Sequence, residues 1–270
     1  MLEICGVRKV FSQGTPNEVR ALQGVDLKIE TGSFVVIIGT NGSGKSTLLN
    51  VVGGTLQIDS GVISLAGVNI TKWPEYRRAK LIGRVFQNPF SGTAPEMSVA
   101  ENLALAARRG RPRRLSWLLG AAKRDELRER VRYLKMDLEN RLDDQIGSLS
   151  GGQRQALTLL MATWLKPELL LLDEHTAALD PKSADQVITL TDEIVEREKL
   201  TTLMVTHSMH QAANLGDRLV MMHHGRIIQD FHGAERKRTR VDDLLARFED
   251  VRRADQLDET AAEMLRRVYI

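Results

Sequence analysis

Nine consecutive residues, Gly39-Thr-Asn41-Gly42-Ser43-Gly44-Lys45-Ser46-Thr47, combine the residue types and the spacing needed to hold a polyphosphate. Glycines let backbone N–H groups approach an anion closely, and a helix starting here would add its partial positive charge. Lys45 supplies a cation for the β- and γ-phosphates. The Ser46 hydroxyl can complete the shell of a Mg²⁺ ion that keeps most of its waters. The apolar run Phe34 to Ile38 precedes the loop and Leu48-Leu-Asn-Val-Val52 follows it, which is the strand, loop, helix order the pattern requires. A chance glycine-rich turn would not be flanked in this way. The chain is therefore expected to bind a nucleoside triphosphate, although the loop alone does not separate a kinase, a GTPase and a motor.

Two further stretches refine the chemistry. Leu169-Leu-Leu-Leu172-Asp173-Glu174 reads as a buried strand ending in two acids. At the carboxyl end of a parallel strand, Asp173 would hold Mg²⁺ through a water. Glu174 would polarise a water in line with the γ-phosphate. A strand ending in two solvated acids is common by itself; the phosphate loop gives this one its meaning. Leu149-Ser150-Gly151-Gly152-Gln153-Arg154-Gln155, followed by an apolar helix from Ala156 to Leu165, reads as a second anion site. There Ser150 offers a hydroxyl, Gly151 and Gly152 offer N–H groups, and a helix N-terminus adds its dipole.

The elements that must position these residues alternate along the chain. Strand-like runs at Phe34 to Ile38, Leu81 to Phe86, Leu169 to Leu172, Thr202 to Val205 and Arg218 to Met222 are separated by helical stretches. This argues for an α/β protein with a mostly parallel sheet and covering helices. The first residues and Val19 to Ile29 form a small antiparallel β piece, with Ser12 to Asn17 as its turn. From about residue 88 to 148 the pattern is helical, in Val99 to Arg108 and Ala121 to Leu138, as an inserted helical subdomain. Beyond residue 232 a helical extension is expected to run to 270, with Asp242 to Arg253 and Leu257 to Val268 as its candidate helices.

Composition sets limits. At 270 residues and 42% apolar, the chain can bury a sizeable core. No run of about 18 uncharged apolar residues occurs, so no span is expected. The N-terminus has no signal-peptide character. A net charge of +3, from 38 cations against 35 acids, is too balanced for a dedicated nucleic-acid binder, and no nucleic acid is expected as a partner. The single cysteine, Cys5, can form no internal disulfide and is expected in the core of the first strand. The basic run from Arg108 to Arg114 reads as a solvated loop. Leu115-Ser-Trp117-Leu-Leu119 after it reads as packing, with a lipid surface as a lesser alternative.

The stretch Leu149 to Gln153 matches the LSGGQ signature of the ATP-binding cassette ATPases, and the chain from residue 1 to about 232 resembles that family. Leu169 to Glu174 resembles its Walker B strand. Gln87 resembles its Q-loop glutamine, which contacts Mg²⁺ and the γ-phosphate; His207 resembles the switch histidine; Asp180 lies in a D-loop-like segment. Phe11 stands where the family carries an aromatic that stacks on adenine, a core role being the alternative. The resemblance implies a P-loop NTPase core, ATP and Mg²⁺ as cofactors, and catalytic roles for Glu174, His207 and Gln87. It places Phe11, Gly39, Asn41, Gly42, Ser43, Gly44, Lys45, Ser46, Thr47, Ser150, Gly151, Gly152, Gln153 and Asp180 on the nucleotide. Ser46, Gln87 and Asp173 would face the metal.

In such proteins two copies face each other, each ATP lying between the phosphate loop of one and the signature serine of the other. The resemblance thus implies a homodimer on ATP binding, seated on integral-membrane permease subunits at the cytoplasmic face of the inner membrane. The stretch Asp173-Glu-His-Thr-Ala-Ala-Leu-Asp-Pro181 resembles a branch of importers, associated with extracytoplasmic substrate-binding proteins for amino acids. An exporter or lipoprotein-release ATPase, and a soluble non-transport ATPase, are the alternatives. Two departures from the family pattern stand out: His175 where proline usually follows the glutamate, and Ala156 where arginine usually follows the signature. His175 is expected either to pack as a neutral ring or, if protonated, to perturb Glu174.

Overall fold

The computed structural model describes residues 1–110, 120–250 and 253. Two sheets organise it. In the first, β1 (Leu2–Phe11) pairs antiparallel with both β2 (Val19–Ile29) and β4 (Ser60–Leu65), and β5 (Val68–Asn69) closes the edge. The second has six strands in the order β10 (Arg226–His232), β9 (Arg218–His223), β3 (Phe34–Gly39), β8 (Thr202–Val205), β7 (Leu169–Asp173) and β6 (Ile82–Val85). Every pair in it is parallel except β9 with β10. This is the expected α/β, mostly parallel sheet with a small antiparallel piece; β4, β5 and β10 are strands that the hydrophobic pattern did not reveal.

The parallel strands read as unbroken apolar runs because both of their faces are covered. Val35, Val36, Ile37, Ile38 and Leu169 to Leu172 have no solvent exposure. One face packs with the antiparallel sheet and α1 (Lys45–Gly53). The other packs against α5 (Gly151–Thr163), α6 (Pro181–Glu198) and α7 (Met209–Asn214). Each such buried Val, Leu or Ile contributes roughly 1.5–3 kcal/mol. A short helix, α2 (Glu75–Arg78), ends in a fully buried arginine. The Arg78 guanidinium donates to the carbonyls of Val51 and Val52 at 2.6 and 2.8 Å, so it terminates α1, and also to Trp73 and Thr71.

Between β6 and α5 lies the helical stretch, with α3 (Val99–Ala106) and α4 (Ala121–Arg132). Ser98 caps α3 in a reciprocal box with Glu101, the pattern S-x-x-E that starts helices. The run 111–119 and the helix expected over 257–268 lie outside the described residues. Past β10, α8 (Gly233–Arg238) and a further helix over 241–250 dock on the core rather than standing off as a solvated appendage. Leu244 is fully buried, and Arg236 donates to the carbonyls of Ala212 and Ala213 at 2.9 Å, at the end of α7.

Cys5 departs from expectation, for it is exposed. Strict alternation after the buried Leu2 and Ile4 already turns residue 5 outward. The register slip between Ile4 and Val7, with Gly6 at φ +57, then leaves two successive residues outside before Val7 returns to the core.

Candidate functional site

Register decides which residues meet. Ile37 of β3 and Asp173 of β7 both pair with Val205 of β8, and Leu172 of β7 pairs with Val85 of β6. Parallel strands place their carboxyl ends on one edge. The loop from Gly39, the acids Asp173 and Glu174, His207 two residues past β8 and Gln87 two residues past β6 therefore emerge side by side. Four segments far apart in sequence form one rim.

The loop from Gly39 to Gly44 turns tightly into α1, with Gly44 as the residue before the helix at φ +98. A Cβ on Gly44 would lie 2.4 Å from the Ala21 carbonyl, and one on Gly39 would lie 2.2 Å from that of Met222. Close approach thus requires both glycines, and at Gly44 the left-handed backbone requires one as well. The β9–β10 turn supports the loop from below: Gly225 N–H donates to the Ser43 carbonyl at 3.0 Å, and Thr40 Oγ1 lies 3.2 Å from His223 Nδ1. The loop lines a cleft of about 400 Å³ with Phe11, Val19, Ala21 and His207, in which Asn41, Gly42, Ser43, Gly44, Lys45, Ser46 and Thr47 are all wall residues. The first-turn N–H groups of α1 have no partner inside their own helix, so they are available to an anion. Phe11 is 37% exposed at the mouth, not in the core, with Lys9 Nζ 5.7 Å from its ring centroid.

Lys45 is 4% exposed, and its ammonium donates to the carbonyls of Gly39 and Thr40 at 2.9 Å. Burial holds its pKa below the ordinary lysine value, while the nearby Glu174 carboxylate acts in the opposite sense. A buried cation among carbonyl dipoles gains strongly from an anionic ligand.

At the carboxyl end of β7, Asp173 pairs with Arg84 at 3.2 Å, and Arg84 also donates to Asn50 Oδ1 of α1 at 2.7 Å. Sequence reasoning missed Arg84, which ties β6, β7 and α1 together behind the acids; nothing in its local sequence marks it. Glu174 sits at φ +46, a left-handed backbone unusual for a non-glycine residue. One carboxylate oxygen lies 2.6 Å from His207 Nε2, with Glu174 largely buried and His207 half exposed.

Ser46, Asp173 and Gln87 offer an oxygen-only set with a single carboxylate. That fits Mg²⁺, which favours one or two carboxylates plus phosphate oxygens and water. Among the described residues no cluster of three or more His, Cys, Asp or Glu provides a rival metal cage. Gln87 is exposed, and the carbonyl of Phe86 just before it accepts from the Gln155 amide at 3.1 Å, which links this bend to α5.

The signature residues are not in this cleft. Ser150 caps α5, accepting from Gln153 N–H, while the Gln153 side chain returns to Ser150 N–H. Ser150 and Gly151 face solvent. Gly152 is buried, and a Cβ there would lie 2.8 Å from Ser183 Cβ, so its lack of a side chain lets α5 and α6 pack closely. Asp180 caps α6, accepting from Ser183 N–H at 3.1 Å, and this bonding holds its carboxyl below the usual range. Arg154 is buried, donates to the carbonyls of Ile146, Gly147 and Leu149, and lies 3.7 Å over the Phe90 ring. Ala156 is fully buried on the same helix. One copy therefore presents a phosphate cleft and, elsewhere, an exposed helix N-terminus.

A family model described as "ABC transporter" matches residues 22–177. A "Tyrosine transport ATP-binding protein" of Clostridioides difficile is 44% identical over 251 residues, covering 92% of this chain and 99% of the relative. A "Lipoprotein-releasing system ATP-binding protein LolD 1" of Caulobacter vibrioides is 35% identical, covering 82% and 92%. Among solved structures, the dimeric post-hydrolysis state of an ATP-binding cassette bound to ADP and Pi superposes with a TM-score of 0.73. It is 27% identical and covers 86% of this chain and 98% of that one.

Proposed function

The chain belongs to the ABC transporter family and is an ATP-hydrolysing cassette, and from that premise we propose that it energises import of an aromatic amino acid through a separate permease. The near full-length similarity to a tyrosine transport ATP-binding protein supports the substrate class. Among the described residues no helix is long and apolar enough to cross a membrane. In this reading the subunit binds the cytoplasmic face of an integral-membrane permease and works with an extracytoplasmic substrate-binding protein. We assign residues 1–232 to the cassette, with the helical insert over about 88–148, and 233–270 to an extension.

One observation carries the mechanism: the phosphate cleft and Ser150 occur in one chain but not in one site. Two copies facing each other place Ser150, Gly151, Gly152 and Gln153 of one across the cleft of its partner, with Asp180 beside them, and so complete a shared pocket. The loop N–H groups from Gly39 to Thr47 hold the phosphates, Lys45 turns its ammonium to them, and Phe11 stacks on the base. Ser46, Asp173 and Gln87 are the residues that would hold Mg²⁺, which when bound offsets charge on the β- and γ-oxygens. Glu174 orients and polarises the attacking water as the base, and His207 Nε2, already beside it, reaches the γ-phosphate. ATP binding closes the pair and cleavage opens it, because the donors converge on charge that leaves with phosphate.

The test is uptake of labelled tyrosine in cells lacking the gene, restored by the wild-type chain but not by Glu174→Gln. Unchanged uptake in the deleted strain refutes the substrate assignment. The similarity to a lipoprotein-releasing ATPase favours one second reading, export, which loss of lipoprotein release instead of tyrosine uptake would identify.

A further inference from the structure

The residue after the proposed base is a buried histidine whose hydrogen bonding determines its proton position. His175 is 1% exposed, and its Nε2 lies 3.0 Å from the Thr191 hydroxyl on α6. That hydroxyl gives its single hydrogen to the Val187 carbonyl at 2.7 Å, one helical turn back. Toward His175 it can only accept, so Nε2 carries the proton and the ring is a fixed, neutral donor. Nδ1 is buried with no hydrogen-bond partner among the described residues.

On its amino side is Glu174, at φ +46. A left-handed carboxylate-bearing residue costs free energy and persists where its surroundings hold it. Besides the contact of its carboxylate with His207 Nε2, Glu174 N–H donates to the Val205 carbonyl, and its own carbonyl accepts from Ala177 N–H. On the carboxyl side of His175, Thr176 Oγ1 accepts from the Gln211 amide, whose oxygen accepts from Thr206 next to His207. Thr176 and Gln211 thereby set the spacing of the two loops, whereas His175 is the tie that anchors the Glu174 segment to α6.

We propose that His175 is a positioning residue, which through Thr191 holds Glu174 in its left-handed conformation with the carboxylate aimed beside His207. The inference rests on the reading of Glu174 as the base. It goes beyond that reading by assigning a role to the histidine that stands in place of proline and to a helix residue remote from nucleotide. A proline here would fix only its own φ and bias the preceding residue toward extended backbone, whereas the His175 side chain ties the segment to α6 by a hydrogen bond.

The experiment measures steady-state ATPase kinetics, binding of a fluorescent ATP analogue and thermal unfolding for full-length Glu174→Gln, His175→Ala, His175→Gln, Thr191→Val and the double variant His175→Ala/Thr191→Val. Thr191→Val keeps the volume and removes the hydroxyl, with both its acceptance from His175 and its donation to the Val187 carbonyl, so it carries the test if His175→Ala does not fold. Expected are an approximately tenfold lower kcat in His175→Ala and Thr191→Val, and KM and analogue affinity within about twofold of wild type. The double variant should be no slower than either single one, since both remove one interaction. His175→Gln, whose amide nitrogen replaces Nε2, should retain most of the rate. Wild-type kcat in Thr191→Val with only a lower Tm, multiplying losses in the double variant, or a His175→Gln as slow as His175→Ala would each overturn the proposal. Normal turnover in Glu174→Gln would instead show that the base was wrongly assigned.

Discussion

Burial makes His175 a contributor to the acid sensitivity of the fold as a whole. Desolvation lowers its pKa from the ordinary 6.5 to about 4, with no charged neighbour among the causes and the neutral Thr191 hydroxyl as its hydrogen-bond partner. In the unfolded chain the imidazole takes up a proton below about pH 6.5, whereas in the folded protein it resists protonation down to about pH 4. The unfolded state therefore binds more protons within that window, and stability falls as pH falls through it. Above it the contribution is fully favourable to the fold. At about 1.4 kcal/mol per pH unit, the interval corresponds to about 3 kcal/mol in total, of which about 2 kcal/mol is lost by pH 5. Urea denaturation of the magnesium-free protein at several pH values between 7.5 and 4.5, beside His175→Gln, isolates the effect from carboxylates common to both. The wild type should lose about 2 kcal/mol more than His175→Gln between pH 7.5 and 5. Parallel stability curves for the two proteins over this range would refute the reasoning.

Other outcomes follow from the same geometry. Glu174→Gln should bind ATP and run as a dimer in gel filtration with saturating magnesium ATP, and adding Ser150→Ala should weaken that dimer without reducing ATP affinity of the monomer; a monomer throughout contradicts the shared pocket. Gly152→Ala introduces a Cβ at 2.8 Å from Ser183, so α5 and α6 must separate. Calorimetry should show a loss of about 1–3 kcal/mol, and ATPase rate should fall while analogue binding persists. Arg78→Leu leaves the carbonyls of Val51, Val52, Thr71 and Trp73 without their donor in the interior and should destabilise the fold by about 3–5 kcal/mol in denaturant titration.

Much of the nucleotide site was legible because its signals are local. The glycine spacing from Gly39 to Gly44, the apolar strand before it and the one at Leu169 to Leu172, and the Leu149 to Gln153 motif ahead of an apolar helix each express physics acting within a few residues. Those runs also dictated an α/β fold, since strands this apolar require cover on both faces. Even the exposure of Cys5 was foreseeable from alternation after Leu2 and Ile4; assigning it to the core gave weight to residue type over period.

What tertiary structure alone decided lies in contacts across long separations. Arg84 meets Asp173 because β6 lies beside β7, a sheet order that no single strand encodes. The left-handed turn at Glu174 and the bond from His175 to Thr191 depend on how α6 packs. Gly152 also serves as a contact surface for Ser183, a contact that exists only because α5 and α6 pack together. Local sequence specifies which groups exist and what conformations they favour, but side-chain hydrogen bonds act over only about 3 Å. Which groups come within that reach is therefore fixed by the packing of the whole chain.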